Sequence, residues 1–155
     1  MAWVRGEVIR IEVPGPPRAW KRSGHRLIRP AGKKPFISTF TQTATRDAQA
    51  EFKDCAQRAM NRRPPIDGPV ELRMASYIPV PPSWSQKKQR MALADQLRPT
   101  SKPDYDNYAK MIDALKGVVW RDDCLVTDGS HFKRYSDRPR LVVEVRSLTW
   151  SEVGE

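Results

Sequence analysis

A chain of 155 residues with a net charge of +10 and a pI of about 10.0 is expected to form one domain with a real core and to meet a polyanion, most simply nucleic acid. A basic ribosome-type or membrane-surface protein is the other class such charge admits, but no apolar run approaches the ~20 residues that span a bilayer, and the opening Met1 to Pro14, charged at Arg5, Glu7, Arg10 and Glu12, has no signal-peptide pattern. Cys55 and Cys124 stand far apart without CxxC spacing, which argues against a disulfide framework or a cysteine-rich zinc site and fits a reducing cytoplasm.

From the N-terminus, Glu7 to Val13 sets Val8, Ile9, Ile11 and Val13 against charged positions, the pattern of a first strand. PGPPRAW breaks it. Residues 18–34 then carry Arg18, Lys21, Arg22, Arg26, Arg29, Lys33 and Lys34 without a single acid. A charge run is often only a solvated face; an acid-free run this dense after a strand is better read as a loop or hairpin contacting phosphates. Trp20 inside it suits either stacking on an unpaired base or anchoring the loop to the core. Lys34 to Thr39 reads as a short strand. Thr41 or Thr43 is expected to cap a helix running to about Asn61, with Ala44, Ala48, Phe52, Cys55, Ala56 and Ala59 inward, and RRPPIDGP ends it. Val70 to Val80 reads as a strand, stopped by PVPP.

Ser83 to Leu97 is expected to be a short helix capped by Ser83 or Ser85, with Lys87, Lys88 and Arg90 in its body. From Ser83 to Pro103 five basic residues stand against one acid. That charge suits a guide for DNA as well as a solvated lid or a partner-facing helix. After the next segment, Cys124 to Thr127 starts a strand running from Leu125 to Tyr135, a turn SDRP follows, and Arg140 to Arg146 alternates as another strand. Trp150 onward reads as a loose acidic tail, residues 150–155. The fourteen prolines mark short elements joined by stiff loops, not one long bundle. His25 and His131 form no ligand motif and read as surface or ordinary structural histidines.

The chemistry concentrates in KPDYDNYAKMIDALKGVVWRDDCLVT, Lys102 to Thr127. Tyr108, Met111, Ile112, Leu115 and Val119 have the spacing of a helix stripe. Asp106, Lys110 and Asp113 fall on the opposite, outward face. Asp104 follows Pro103, where the chain should be extended, and Asp122-Asp123 lies in the turn after Gly117, with Asp123 at a helix-to-strand corner. Three carboxylates converging on one point repel one another unless a cation is present, and hard oxygen donors suit Mg²⁺ or Mn²⁺. Such an ion activates water and neutralises charge on a phosphodiester, and a lysine beside it holds the phosphate or the developing charge. An Asp at a helix start also serves as an N-cap, and Asp-Asp is also a plain turn; spacing alone leaves both readings open. An EF-hand is excluded by Tyr108, Ala109 and Leu115 at its fifth, sixth and twelfth positions.

D-x-D-N-x-x-K on a helix, then an acidic pair preceded by an aromatic, resembles the signature of the RusA family of Holliday junction resolvases, carried here by Asp104, Asp106, Asn107, Lys110, Trp120, Asp122 and Asp123. The resemblance is strongest over residues 99–128. It implies that Asp104, Asp106 and Asp123 bind Mg²⁺ (with Mn²⁺ a substitute), that Lys110 acts in catalysis, and that Asn107 and Asp122 orient these groups. It further implies a crossover junction endodeoxyribonuclease that resolves four-way DNA junctions by paired nicks in recombination and repair. The working unit would be a homodimer, and the chain a cytoplasmic, nucleoid-associated bacterial or phage product. An insertion-like segment, residues 79–101, resembles the longer prophage-type members and leaves substrate choice open.

The expected fold is a single α/β (α+β-like) domain over residues 1–155, a small mixed sheet with two main helices packed on it. DNA contacts are expected from Arg18, Lys21, Arg22, Arg26, Arg29, Lys33, Lys34, Lys87, Lys88, Arg90 and Lys102. No Walker or dinucleotide glycine pattern appears, so no nucleotide cofactor is expected, and two histidines placed as these are support no Ser-His-Asp or Cys-His set. The rival readings are a non-catalytic DNA- or RNA-binding protein whose acids only cap and turn, and a nuclease acting on flaps or forks.

Overall fold

The computed structural model describes residues 1–152; Val153, Gly154 and Glu155 lie outside the described residues, and so does that part of the expected tail. In chain order the elements are β1 (Ala2–Arg5), β2 (Ile9–Pro14), β3 (Gly24–Ile28), β4 (Phe36–Phe40), α1 (Thr43–Met60), β5 (Val70–Pro79), α2 (Gln86–Leu93), α3 (Tyr105–Ala109) running directly into a 3₁₀ helix (Lys110–Leu115), a short 3₁₀ turn (Asp123–Leu125), β6 (Val126–Ser136) and β7 (Arg140–Ser151).

β7 organises the sheet because its alternation is matched on both sides. Ile11 of β2, Val143 of β7 and Met74 of β5 lie in one row across the strands, and Ile9, Val145 and Leu72 form the next. All six are buried, so one face of the sheet is apolar. The other face carries the charges, with Arg10 pairing Glu144 at 3.0 Å, beside the buried pair of Ala75 and Val142. β5 runs antiparallel to β7 and parallel to β6, which makes the sheet small and mixed, as expected. α1 covers the apolar face with the fully buried Phe52 and Ala56. Burying a side chain the size of Phe52 contributes about 2–3 kcal/mol.

Several expectations change in detail. The N-cap of α1 is Gln42, not Thr41 or Thr43, and its side chain makes no capping hydrogen bond. Thr45 and Met60 are buried where Ala44 and Ala59 were expected; Ala44 is exposed and Ala59 half-buried. Thr45, Ala48, Phe52, Cys55, Ala56 and Met60 follow one helical phase, and Ala44 stands off it. The helix between residues 83 and 97 is shorter than expected, Gln86–Leu93, and Ser85 caps it by accepting from the Lys88 N–H at 3.2 Å. Trp150 is no loose tail: it pairs with Trp3 of β1, a strand the alternation did not reveal, and the two rings meet edge-on at 5.4 Å. The two strands around the SDRP turn, β6 and β7, lie on either side of β5. Cys124 lies in the 3₁₀ turn, not in a strand.

This topology places the acidic stretch. Because β5 and β6 are parallel, their connection must cross from one end of the sheet to the other. Residues 80–125 are that crossover, and every acid of the motif lies on it. Among the described residues β3 and β4 form a separate two-stranded hairpin that joins no other strand, so the basic stretch of residues 18–34 is half loop, half hairpin.

Candidate active site

The motif helix is α-helical only over Tyr105–Ala109; from Lys110 it tightens to 3₁₀. The apolar stripe nonetheless seats it, with Tyr108, Met111, Leu115 and Val119 buried. In a 3₁₀ helix residues three apart eclipse, so Lys110 and Asp113 share the outer face while Met111 and Ala114 face the core. The N-terminal end is held from the sheet. The Tyr105 ring lies 4.5 Å from the His131 ring of β6, and His131 Nε2 hydrogen-bonds the buried Ser76 Oγ at 2.9 Å. Burial, with Lys133 adding to it, pushes the His131 pKa down to about 4. Lys133 donates to the Pro103 carbonyl at 3.3 Å, and the Lys102–Pro103 peptide is cis.

Asp104 is the N-cap residue of α3 and has the extended backbone expected after a proline, φ −67°, ψ 153°, but its side chain does not cap. Its carboxylate instead accepts from Lys102 Nζ at 3.0 Å. Asp106, one turn inside, accepts from Lys110 Nζ at 3.1 Å, and this bond with Lys110 holds its pKa below the usual carboxylate value. Both carboxylates are more than half exposed, at 53% and 64%. The capping reading therefore fails for Asp104 and Asp106. It holds for Asp122, which accepts from the Cys124 N–H at 3.3 Å and from Lys116 Nζ at 3.2 Å; the Cys124 amide first, then Lys116, lowers its pKa. Asp123 is oriented from below: the fully buried Trp120 donates Nε1–H to its Oδ1 at 2.7 Å.

Two residues join this set that the sequence reading did not single out as site residues. Asp113, although exposed, is partly desolvated by its neighbours and faces the charge of Asp123; both effects raise its pKa against the pull of Lys116 and Lys110. Lys116, hydrogen-bonded to Asp122, has its pKa raised by that bond. The signal was present: Lys110, Asp113 and Lys116 repeat at a spacing of three.

The donor set is of the kind a hard divalent ion takes, all carboxylate oxygens beside a phosphate-binding type of cation. In arrangement it falls short of a closed cage. Among the described residues no three His, Cys, Asp or Glu side chains stand together closely enough to hold one metal ion. Asp104 and Asp106 each face a lysine, and Asp123 faces the Trp120 N–H.

The basic loop meets this turn directly. The Trp20 N–H donates to the Asn107 carbonyl at 2.8 Å, the half-buried Trp20 packs against the core, and Lys110 Nζ stands 5.5 Å from the centre of its ring. Trp20 is thus a loop anchor. Between loop and turn runs a cleft of about 470 Å³ lined by Arg18, Lys21, Arg22, Lys102, Asp104 and Asn107, among others. Arg18 is engaged by Glu51 of α1. Arg26, Arg29, Lys33 and Lys34 lie further out, on the hairpin. Lys87, Lys88 and Arg90 sit on α2, which packs against β6, and do not line the cleft; Lys88 instead stacks over Trp84 at 3.9 Å. Among the described residues no helix is long and apolar enough to cross a membrane.

Comparison with known proteins adds two findings. A family model described as Endodeoxyribonuclease RusA matches residues 14–146. The chain is also 34% identical over 140 residues to Uncharacterized protein YqaN of Bacillus subtilis (strain 168), an alignment covering 87% of this chain and 89% of that protein.

Proposed function

The chain belongs to the RusA family of endodeoxyribonucleases, and from that membership we propose that it is a Mg²⁺-dependent endonuclease that resolves four-way DNA junctions by paired, symmetric nicks. The observation that carries this reading is the cleft in which an acid-free basic loop, tied to Asn107 through the Trp20 amide, lies against the turn bearing Asp104 and Asp106. A loop of that charge draws in a phosphate backbone, and the carboxylates at its edge are where hydrolysis would take place.

Asp104, Asp106 and Asp123 would hold the metal ion. When bound, the ion would activate water and neutralise charge on the scissile phosphodiester. Lys110, now on Asp106, would turn to a non-bridging phosphate oxygen and stabilise the charge that develops there. Trp120 fixes the rotation of Asp123, and Lys116 with the Cys124 amide fixes Asp122. Asn107 ties the basic loop to the turn. Lys21, Arg22 and Lys102 would hold the backbone entering the cleft, with Arg18 and the α2 cations Lys87, Lys88 and Arg90 as outer contacts. A homodimer would supply the two matched sites that a two-fold junction needs, acting on DNA in the cytoplasm.

The test is cleavage of a labelled mobile four-way junction beside a linear duplex of equal length, with and without Mg²⁺. Metal-dependent cutting confined to the junction is expected. Binding without cutting in any divalent ion would leave a DNA-binding protein, and cutting of flaps or forks in preference would change the substrate.

A further inference from the structure

We propose that the β3–β4 hairpin is a base-contacting wedge, which places its apolar end against unstacked bases at the branch point while its cations grip the flanking phosphates. This rests on the reading of the chain as a nuclease of branched DNA. The hairpin pairs Gly24–Ile28 with Phe36–Phe40, and among the described residues no other strand joins it. A lone two-stranded hairpin is marginally stable in water, and this one leaves large apolar side chains uncovered. The two rungs nearest its tip are Leu27 opposite Ile37 and Ile28 opposite Phe36. Leu27 is 51% exposed, Phe36 53% and Ile37 69%. Facing residues share a side of a ladder and successive rungs alternate, so both faces of the distal end are apolar.

Charge decides what covers that end. The hairpin and its approaches carry Arg22, Arg26, Arg29, Lys33 and Lys34 without an acid. Among the described residues none of these makes an ion pair, whereas Arg18, Lys102, Lys110 and Lys116 around the candidate active site all do. Two such arms brought together in a dimer would repel, and a membrane or an acidic protein would not account for the position. Arg22, at the base of the hairpin, lines the same cleft as Asp104, so DNA entering the cleft passes along the arm. Apolar side chains flanked by Arg and Lys are the means by which proteins part a base step, and the open centre of a branch offers bases already partly unstacked, where the cost of parting them is least.

The test compares wild type with Phe36→Ser/Ile37→Ser on a four-way junction carrying 2-aminopurine at the branch point and on a linear duplex with the same label. The substituted side chains are exposed, so the thermal midpoint should hold; Ile37→Ser alone serves should the double variant misfold. Expected are a fluorescence rise on the junction with wild type, its loss in the variant, a fall of at least tenfold in preference for junction over duplex, and duplex affinity within about twofold. An equal rise and equal preference in the variant would overturn the wedge. So would equal weakening on junction and duplex, the mark of a merely structural role, or conversion of a dimer to a monomer in sedimentation, which would give the face to a second copy. The nuclease reading fails separately, if wild type cuts no branched DNA in Mg²⁺; a variant-sensitive fluorescence rise would then still uphold the wedge.

Discussion

Trp120 and Asp123 are joined by a hydrogen bond from a fully buried indole to a half-buried carboxylate, Nε1 to Oδ1 at 2.7 Å. The indole nitrogen can only donate, and Asp123 Oδ1 is its acceptor. The orientation of Asp123 is therefore set by the packed interior, not by the turn it stands in.

Trp120→Phe should keep the fold and loosen that carboxylate. The lost bond and the smaller ring should cost about 1–3 kcal/mol of stability. Nicking should fall at least tenfold even at temperatures where the variant is fully folded. Urea unfolding paired with a rate measurement separates the two effects; wild-type turnover in a folded variant would mean that Asp123 needs no such orientation.

Asp106→Asn should abolish cleavage and leave junction binding equal or tighter. The substitution removes a negative charge from the turn beside the basic cleft and frees Lys110, which the Asp106 carboxylate now holds at 3.1 Å. A gel shift beside a nicking assay decides it. Full activity would remove Asp106 from the chemistry.

Acid should weaken the fold through His131. Its folded pKa, about 4, lies below the ordinary 6.5, so between those values the unfolded chain binds the proton more readily. The stabilisation is fully present above pH 6.5 and is lost as pH falls toward 4. His131→Gln, which still reaches Ser76, should show a flatter stability profile across that window. Chemical denaturation at pH 7 and pH 4.5 measures the difference, and parallel profiles would place the acid sensitivity elsewhere.

Mixing wild type with excess Asp106→Asn should convert linear product from a supercoiled cruciform plasmid into nicked circles. One chain carries one D-x-D with a downstream acidic pair, so two matched cuts need two chains. Linear product that persists in excess mutant, with a monomer in sedimentation, would rule out the paired mechanism.

Local patterns were legible in the sequence, and contacts between distant parts of the chain were not. The alternation of Ile9, Ile11 and Val13, and the stripe of Met111 and Leu115, report which side faces a core and need no knowledge of what covers it. The motif names Asp104, Asp106 and Asp123 together, but among the described residues no three such side chains stand close enough to hold one metal ion, so a shared metal stays a proposal. Which lysine each carboxylate would face was not read, although Lys102 and Lys110 stand only two and four residues from their partners; Lys116 reaches Asp122 across the Gly117 turn. The pairing of Trp3 with Trp150 joins the two ends of the chain and leaves no periodic trace in four residues of β1. The change from α to 3₁₀ at Lys110 also escaped, because Met111, Ala114 and Leu115 satisfy either period over so short a run.

The crossover between β5 and β6 has a consequence for how activity appears in time. Every carboxylate of the motif rides on a connection whose ends are fixed only when two parallel strands have found each other, a non-local pairing that chains form late. β6 and β7 follow it, so a nascent chain still lacking its last strands carries the acids but not the frame that positions them. If the chain cuts DNA as proposed, it would be inert while it is being made, and cleavage would itself be a readout of whether the sheet has closed.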